Sequence, residues 1–395
     1  MTLRTLREAW DDFFFAPQSP IPIALFRILY GISVSVTVIL LHSDWLNWFG
    51  VHGWVTLSTM RQVEPGMRLN LFTVMPQDDR WIAAFFWVFL GFALLLTAGV
   101  WTRLSSVVVF LCLTSIDQRN LLILHGGDTF LRVAGFFLMF APAGAAFSVD
   151  RLIRVRRGLE GPQIQPRAPW AQRMIQLELA LLYFTAFWWK MKGHTWLNGT
   201  ALYYVLHLHS IARFPVPRWI QSPAILKAGS WFTLALEFSL GVLIWFRRFR
   251  YPLLLLGLLF HLGIEYALNL PMFSWDVITG YILFIDPSDL DHWWRSVRQR
   301  LARIPLRKRY APGEAHTLQI HPRKILAHVF RLCPSPGSTR GLSSDQFWLD
   351  TNGPRLGADC LLSNAWQCFF SPDVKASDHL FQLSGSGQQL PRCGE

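Results

Sequence analysis

Apolar stretches alternate with polar loops along residues 21–286, and most stretches are close to the ~20 residues that cross the hydrocarbon core of a bilayer. This pattern predicts an all-α protein, a polytopic integral membrane bundle of about eight transmembrane helices. The last two stretches meet at Asn269–Pro271, where we expect a tight turn or a broken helix because proline ends helices. The predicted spans are Ile21–Leu41, Trp81–Val100, Ser105–Leu124, Thr129–Val149, Met174–Trp189, Trp231–Phe246, Pro252–Asn269 and Leu270–Ile285.

The composition agrees with a membrane protein. Hydrophobic residues make up 52% of the chain and charged residues 16%, below the ~25% charged residues of ordinary soluble domains. The chain also has 19 tryptophans, a residue that concentrates where membrane meets water. Those at the ends of predicted spans are Trp81, Trp101, Trp189, Trp231 and Trp245.

Lysine and arginine concentrate in the N-terminal segment, in the loops after even-numbered spans and after the last span. Because cytoplasmic loops carry the excess of positive charge, we expect both termini in the cytoplasm and the bundle in a bacterial inner membrane. The first span is too long for a secretory signal and ends in His42-Ser43-Asp44, so we expect it to be retained. The net charge of +12 is then a topology signal, with membrane lipid as the expected partner and no nucleic acid.

The C-terminal region differs from the rest. We assign residues 1–303 to the transmembrane domain and 304–395 to a cytoplasmic tail, rich in Pro, Gly, Ser and Gln, that is expected to be disordered. The tail cysteines lack the close pair spacing of a zinc site, and no residue of the chain is assigned as a metal ligand. These cysteines are Cys333, Cys360, Cys368 and Cys393.

Polar residues cluster at the turn between the third and fourth spans. Asp117 to Asn120 lie in a row, and His125, Asp128 and Arg132 follow. Such residues must face protein or water, not lipid, and Asp128 fits as the N-cap of the fourth span. Two explanations stay open: ion pairs that hold the helices together, or a functional pocket that also uses Asn120 and His125.

Further titratable residues lie in or beside other spans. His261 and Glu265 share a helix face, either for proton transfer or as an interhelical hydrogen-bonding device. Lys190 and Lys192 follow the fifth span, where desolvation favours a neutral amine that acts as a base, although both lysines also fit as interfacial snorkelling residues. Arg27, seven residues into the first span, either snorkels or pairs.

Threading through the membrane brings several of these segments to one side. Asp117–Asp128, Lys190–Tyr204, the end of the seventh span and the start of the eighth are all expected to face outward. This predicts one outward-facing site, roofed near Trp196 and Tyr203 and reachable sideways by a lipid-soluble ligand. Further candidate partners for buried cations are Glu178 and Glu237, and Asp276 lies near the outer end of the eighth span.

Five stretches, in order and spacing, carry a family resemblance over nearly all of residues 5–290. They are Trp10-Asp11-Asp12-Phe13-Phe14, Ala24 to Gly31, Asp117-Gln118-Arg119-Asn120 with His125, Lys190 through Trp196 to Tyr203, and His261 with Leu270-Pro271-Met272-Phe273-Ser274. In these stretches the chain resembles the horizontally transferred transmembrane (HTTM) domain, the membrane part of vitamin K-dependent gamma-carboxylases and of many bacterial proteins.

The resemblance implies a chemistry and a set of site residues. In the eukaryotic carboxylase, reduced vitamin K is deprotonated and reacts with oxygen, giving a base that removes a gamma-proton from glutamate before carbon dioxide adds. By position, Lys190 or Lys192 would supply the base, and Met191 between them leaves the choice open. The resemblance further implies His125 and His261 as pocket histidines and Asn120 as a polar contact near the quinone. The remaining candidate cofactor contacts are Arg27, Trp196, Tyr203 and Phe273.

Two classes of function follow. The first is a quinone-dependent, carboxy-lyase-like enzyme that modifies an exported peptide at the outer face. The alternative is a non-enzymatic membrane factor for maturation or export of a secreted peptide, since some bacterial relatives look like such factors and the carboxylase's large lumenal region has no counterpart here. A transporter is the weakest reading, because most polar residues lie at one depth.

Overall fold

The computed structural model describes residues 3–63, 69–120 and 123–303, which fold into α-helices joined by turns. The predicted tail at 304–395, with its four cysteines, lies outside the described residues. The helices are α1 (Leu3–Phe15), α2 (Ile21–Leu40), α3 (Trp45–Phe49), α4 (Leu57–Val63), α5 (Asp79–Ala98), α6 (Thr102–Arg119), α7 (Gly126–Leu138), α8 (Val149–Arg156), α9 (Trp170–Met191), α10 (His194–Leu197), α11 (Ala201–Leu206), α12 (Pro223–Val242), α13 (Arg247–Ala267), α14 (Phe273–Thr279) and α15 (Pro287–Arg303).

The all-α prediction is confirmed. Within the described ranges, β pairing is limited to two isolated bridges, Gln18 with Arg167 and Ala212 with Leu268. The described residues up to His292 form one compact unit, and those from Trp293 to Arg303 belong to a second. The sites below all lie in the first unit.

Among the residues that the structure describes, three stretches of helix are long and apolar enough to cross a membrane, namely α2, α5 and the run Pro223–Trp245, in which a 3-10 turn extends α12. Each of the eight predicted spans contains helix, but a count of eight crossings stays a prediction. The predicted fourth span, Thr129–Val149, is helical only as far as Leu138. Pro142 and Gly144 follow that end, and neither residue favours continuation of a helix.

The predicted break after the seventh span is confirmed. α13 ends at Ala267, and α14 begins at Phe273 after Met272, whose φ of 62° lies in the left-handed region. The chain between them is held by Leu268, which pairs with Ala212 on the segment before α12. This connection delivers Pro271 and Phe273 to the site described below.

The core packs α2 closely against α5. Gly31 of α2 faces Thr97, and a Cβ atom at Gly31 would lie 2.9 Å from the backbone nitrogen of Thr97. Because backbone cannot move aside as a side chain can, this glycine sets the spacing of the two helices. Aromatic and aliphatic side chains, including Phe26, Tyr30 and Phe89, fill the space around this contact.

The start of α6 is fixed by a carboxylate from α8. Asp150 accepts hydrogen bonds from the backbone nitrogens of Trp101 and Thr102, at 2.9 and 2.7 Å, and from the Thr102 hydroxyl at 2.7 Å. Burial raises the pKa of Asp150, but these hydrogen bonds and nearby Arg154 outweigh burial and hold the pKa below its ordinary value. Asp150 therefore caps α6 in its ionised form.

Candidate functional site

A buried ion pair joins the end of α9 to α12. The Nζ atom of Lys190 lies 2.6 Å from Oε1 of Glu237, and only 1% of the surface of Lys190 is exposed. The same Nζ atom lies 5.2 Å from the centre of the buried Trp196 ring, within the range of a cation–π contact. Glu237 thus pairs with a buried cation, as the sequence predicted.

A chain of polar aromatic and imidazole groups lies beside this pair. The Tyr183 hydroxyl lies 2.7 Å from Nε2 of His261 and 2.5 Å from the hydroxyl of Tyr281. All three side chains are buried. A small cavity of about 20 Å³, enough for one water molecule, is lined by Tyr183, Lys190, Glu237, His261 and Phe273 together with Leu182, Ala186, Phe260 and Ile264.

His261 and Glu265 do not pair with each other, and of the two alternatives for these residues His261 takes the interhelical hydrogen bond. Although the two residues are one helical turn apart, Glu265 forms an ion pair with Arg213 from the segment before α12, and His261 bonds to Tyr183. The two residues lie near the end of α13, where Glu265 reaches a cation on a neighbouring segment while His261 points into the core. His261 thus belongs to the hydroxyl chain and not to a histidine–carboxylate pair.

At the start of α7, a histidine takes the capping role that the sequence analysis gave to Asp128. His125 is the N-cap residue: its Nδ1 atom accepts from the backbone nitrogen of Asp128 at 3.3 Å. The Asp128 carboxylate accepts in return from the backbone nitrogen of His125 at 2.9 Å, which completes a capping box. The helix therefore begins at Gly126, three residues before the predicted span.

The polar cluster between the third and fourth spans also contains a structural ion pair. Nη1 of Arg132 lies 3.2 Å from Oδ2 of the buried Asp117 and ties α7 to α6. Asn120, the residue after α6, is fully buried. Asp117 and Arg132 therefore form an ion pair that holds two helices together, the first of the two alternatives for this cluster. His125 and Asp128 are outside this ion pair and form the capping box of α7.

A larger cavity of about 200 Å³ opens beside His125 and Asp128. Most of its wall is apolar, while Asp117, His125 and Asp128 place polar atoms at one side. Such a combination suits an apolar ligand with one polar group. The other lining residues are Thr37, Leu40, Leu41, Trp48, Ile116, Ile123, Leu124, Leu270, Pro271 and Met272.

Phe273 connects the two histidines. Its ring centre lies 5.9 Å from that of His125 and 5.7 Å from that of His261, with edge-to-face and tilted geometry respectively. His125 also bonds through Nε2 to the carbonyl oxygen of Pro271 at 2.8 Å. The turn region, Lys190 and the chain after α13 are thereby brought into one neighbourhood, as the topology argument expected.

Three of the candidate residues lie elsewhere. Lys192 is exposed, with Nζ 4.3 Å from the ring of Trp189, which matches the snorkelling alternative. Tyr203 is 48% exposed and stacks on His207. Arg27 is buried but contacts neither histidine.

The Arg27 guanidinium donates to the backbone carbonyls of Phe147, Ala143 and Thr97, at 2.6, 3.3 and 3.4 Å. It joins the loop after α7 to the end of α5, so Arg27 pairs inside the protein instead of snorkelling. The expected role of this arginine as a cofactor contact has no geometric support here.

Sequence reasoning missed Tyr183, Tyr281 and Ser33. The Ser33 hydroxyl donates to Oδ1 of the buried Asp276, linking α2 to α14. A tyrosine or serine inside an apolar stretch is common, so composition gave little reason to single these residues out. The only signal for Ser33 and Tyr183 was position, since both lie in the middle of a span on a face that also carries fully buried residues. Tyr281 lies in a short 3-10 turn near the end of the eighth span and had no such signal.

Comparison with models of known protein families identifies the family of this chain. A model of the HTTM domain matches residues 15–289, which is more than half of the chain. Comparison with curated proteins gave no match. Comparison with solved structures also gave none.

Proposed function

The chain belongs to the HTTM domain family, and we propose that it is an integral membrane enzyme in which Lys190 deprotonates a lipid-soluble reduced quinone during modification of an exported peptide. The observation that carries this proposal is the buried pair of Lys190 and Glu237 beside Trp196. A lysine in such surroundings is held in place by its carboxylate and shielded from bulk water.

The proposed step is a proton transfer. Lys190 first passes a proton to Glu237 within the ion pair, and its neutral amine then takes the proton of a hydroxyl of the reduced quinone, which leaves an ammonium beside a phenolate-like oxygen. His261, Tyr183 and Tyr281 provide hydrogen-bonding groups next to the lysine for the resulting phenolate-like oxygen. The exposed position of Lys192 favours Lys190 as the base of the two candidates.

The larger cavity is the proposed site for the apolar part of the ligand. Its walls come from α2, α6 and the chain around Leu270–Met272, and its polar side carries His125. Phe273 contacts His125 of this cavity and lines the small cavity beside Lys190, so a ring system that reaches Lys190 from the larger cavity requires this side chain to shift. The inner membrane, with both termini in the cytoplasm, is the proposed location.

Mass spectrometry of lipids that co-purify with the protein tests the ligand. We expect a quinone with wild type, and loss of this quinone from Thr37→Phe, which fills the cavity from α2. Leu29→Phe, on an exposed face of the same helix, is the matched control and should retain it. Absence of quinone from wild type purified out of quinone-containing membranes, or equal quinone in Thr37→Phe, would overturn the proposal.

A second candidate is a non-enzymatic factor that binds an exported peptide. It is favoured by large aromatic side chains exposed between α10 and α12: Tyr203, Tyr204, Phe214 and Trp219. In that case, maturation of the peptide in cells would fall with Tyr203→Ser and Trp219→Ser and be unaffected by the double variant Lys190→Met with Glu237→Leu, which removes the amine together with its carboxylate partner. The opposite pattern would support the enzyme.

A further inference from the structure

Three side chains with metal-ligating atoms meet at the start of α7. His125 and Asp128 come from α7 and its N-cap, and Asp276 comes from α14. One ligand atom from each lies within 4.8 Å of the others, and Nδ1 of His125 is 3.3 Å from Oδ2 of Asp128. Because metal–ligand bonds to nitrogen and oxygen are about 2.0–2.2 Å, ligand atoms on opposite sides of an ion lie roughly 4.2 Å apart. The three ligand atoms are therefore close enough for one ion to bind them after small side-chain movements.

An orphaned carboxylate oxygen points to a missing partner. Asp276 is 0% exposed, its Oδ1 atom accepts from Ser33, and its Oδ2 atom has no hydrogen-bond partner. Buried polar atoms in proteins are nearly always satisfied, and an unpaired buried carboxylate oxygen is costly. Asp276 Oδ2 is thus an acceptor that a bound cation would satisfy.

The charges around this oxygen are also unbalanced. Arg132 pairs with Asp117. Among the described residues, neither Asp128 nor Asp276 has a lysine or arginine within ion-pair distance. Two carboxylates buried together without a cation repel each other, and a divalent ion would neutralise both.

The histidine presents the right nitrogen. Nε2 of His125 lies 2.8 Å from the carbonyl oxygen of Pro271, and a carbonyl only accepts, so Nε2 carries the hydrogen. In this tautomer the lone pair is on Nδ1, which faces the Asp128 carboxylate and accepts the long capping hydrogen bond of 3.3 Å from the Asp128 backbone nitrogen, so a bound ion would take the place of that hydrogen bond. Metal-binding histidines commonly donate their other N–H to a backbone carbonyl in this way.

Gly127 leaves a space between the prospective ligands. A Cβ atom at this residue would lie 2.9 Å from Oδ2 of Asp276 and 3.0 Å from Nδ1 of His125. Any side chain there would push these two atoms away. The glycine thus keeps open the position where both ligand atoms converge.

From these observations we infer that His125, Asp128 and Asp276 form a binding site for a divalent transition-metal ion of the Zn²⁺ or Mn²⁺ type. One imidazole nitrogen and two carboxylates suit such ions better than Ca²⁺, which prefers an all-oxygen shell. His125 and Asp128 also line the larger cavity, so the remaining coordination positions are open to water or to an oxygen of a ligand. This site does not depend on a quinone or on Lys190.

Metal binding by the purified, full-length protein in detergent tests the inference. After removal of metals with a chelator, the protein is given Zn²⁺ or Mn²⁺ alone, desalted and analysed for metal content. We expect one ion per chain for wild type. We expect Asp276→Asn and Gly127→Ala to bind Zn²⁺ more than about tenfold more weakly, through loss of a ligand and steric displacement respectively. No bound ion in wild type, or equal content in both variants, would overturn the site.

Three controls separate loss of the site from loss of the fold. Gly263→Ala adds the same methyl group where nothing lies within 4 Å, and should retain the ion. Asp12→Asn removes an exposed carboxylate and should also retain it. Ser33→Ala removes the hydroxyl that supports Asp276 but leaves the carboxylate, so it should bind the ion more weakly than wild type and more tightly than Asp276→Asn. If Asp276→Asn elutes as folded protein and binds the ion as tightly as wild type, the Asp276 carboxylate is not a ligand.

Discussion

The Nζ atom of Lys190 and the Oε1 atom of Glu237 lie 2.6 Å apart with both side chains buried, so each charge depends on the other. Removal of one partner leaves an uncompensated charge in the core. We expect Glu237→Gln or Lys190→Met to lower the free energy of unfolding by about 3–5 kcal/mol. Thermal unfolding in detergent measures the change.

The paired double variant is the control for that prediction. Lys190→Met combined with Glu237→Leu replaces both charges by apolar groups of similar size, and its stability should return close to that of wild type. Single variants as stable as wild type would show that Lys190 and Glu237 do not depend on each other in the folded protein.

Lys190 and Lys192 are predicted to differ in turnover. If Lys190 is the base, Lys190→Ala should slow oxidation of a reduced quinone by dissolved oxygen in proteoliposomes by about 100-fold or more, the usual contribution of a general base. Lys192→Ala should leave the rate unchanged, because its amine packs over Trp189 at the surface. Equal rates in Lys190→Ala and Lys192→Ala would rule out Lys190 as the base.

Gly31 is predicted to control the packing of α2 on α5. Gly31→Ala places a methyl group against the Thr97 backbone and should cost about 1–3 kcal/mol of stability through overpacking. Gly91→Ala in α5 adds the same group into open space and should not destabilise. The melting temperatures of Gly31→Ala and Gly91→Ala measure the difference. Similar values would mean that α2 and α5 accommodate the extra methyl group without loss of stability.

Acidification is predicted to weaken the cap of α6. The pKa of Asp150 is lower in the folded protein than its ordinary value of 3.8, so the carboxylate stabilises the fold above that value. This stabilisation is lost as the pH falls through the lowered, folded-state pKa. Asp150→Asn should be less stable than wild type at pH 7, and the gap should narrow below about pH 4.

Unfolding followed at several pH values, with Asp12→Asn as an exposed control, measures that gap. A difference that stays constant from neutral to acidic pH would mean that the ionised form of Asp150 makes no special contribution to α6.

The sequence predicted the positions of the helices better than it predicted the contacts between their side chains. The start of α2, the break at Asn269–Pro271 and the pairing of Glu237 with a buried cation follow from apolar runs, proline and the expense of lone charges in a core. The end of α7 at Leu138 was missed, because the apolar run continues to Val149 while the helix does not.

The side-chain contacts of the candidate site depend on tertiary packing, which local sequence does not specify. Glu265 had His261 and Arg213 within reach, and the chain before α12, folded back beside α13, supplied the arginine. Asp128 is the better cap by residue type, and the path of the backbone nevertheless placed His125 at the N-cap position and Asp128 three residues later. Ser33 and Asp276 are far apart in the chain, so their contact follows from how α14 lies on α2.

The ring of Phe273 lies between two histidines that belong to different polar clusters. A molecule that enlarges the small cavity must rotate this ring, and rotation changes its contact with His125. Phe273 lines the small cavity, and its ring contacts His125, which lines the larger cavity. Occupation of the small cavity is therefore transmitted to the larger one through this single ring-to-imidazole contact.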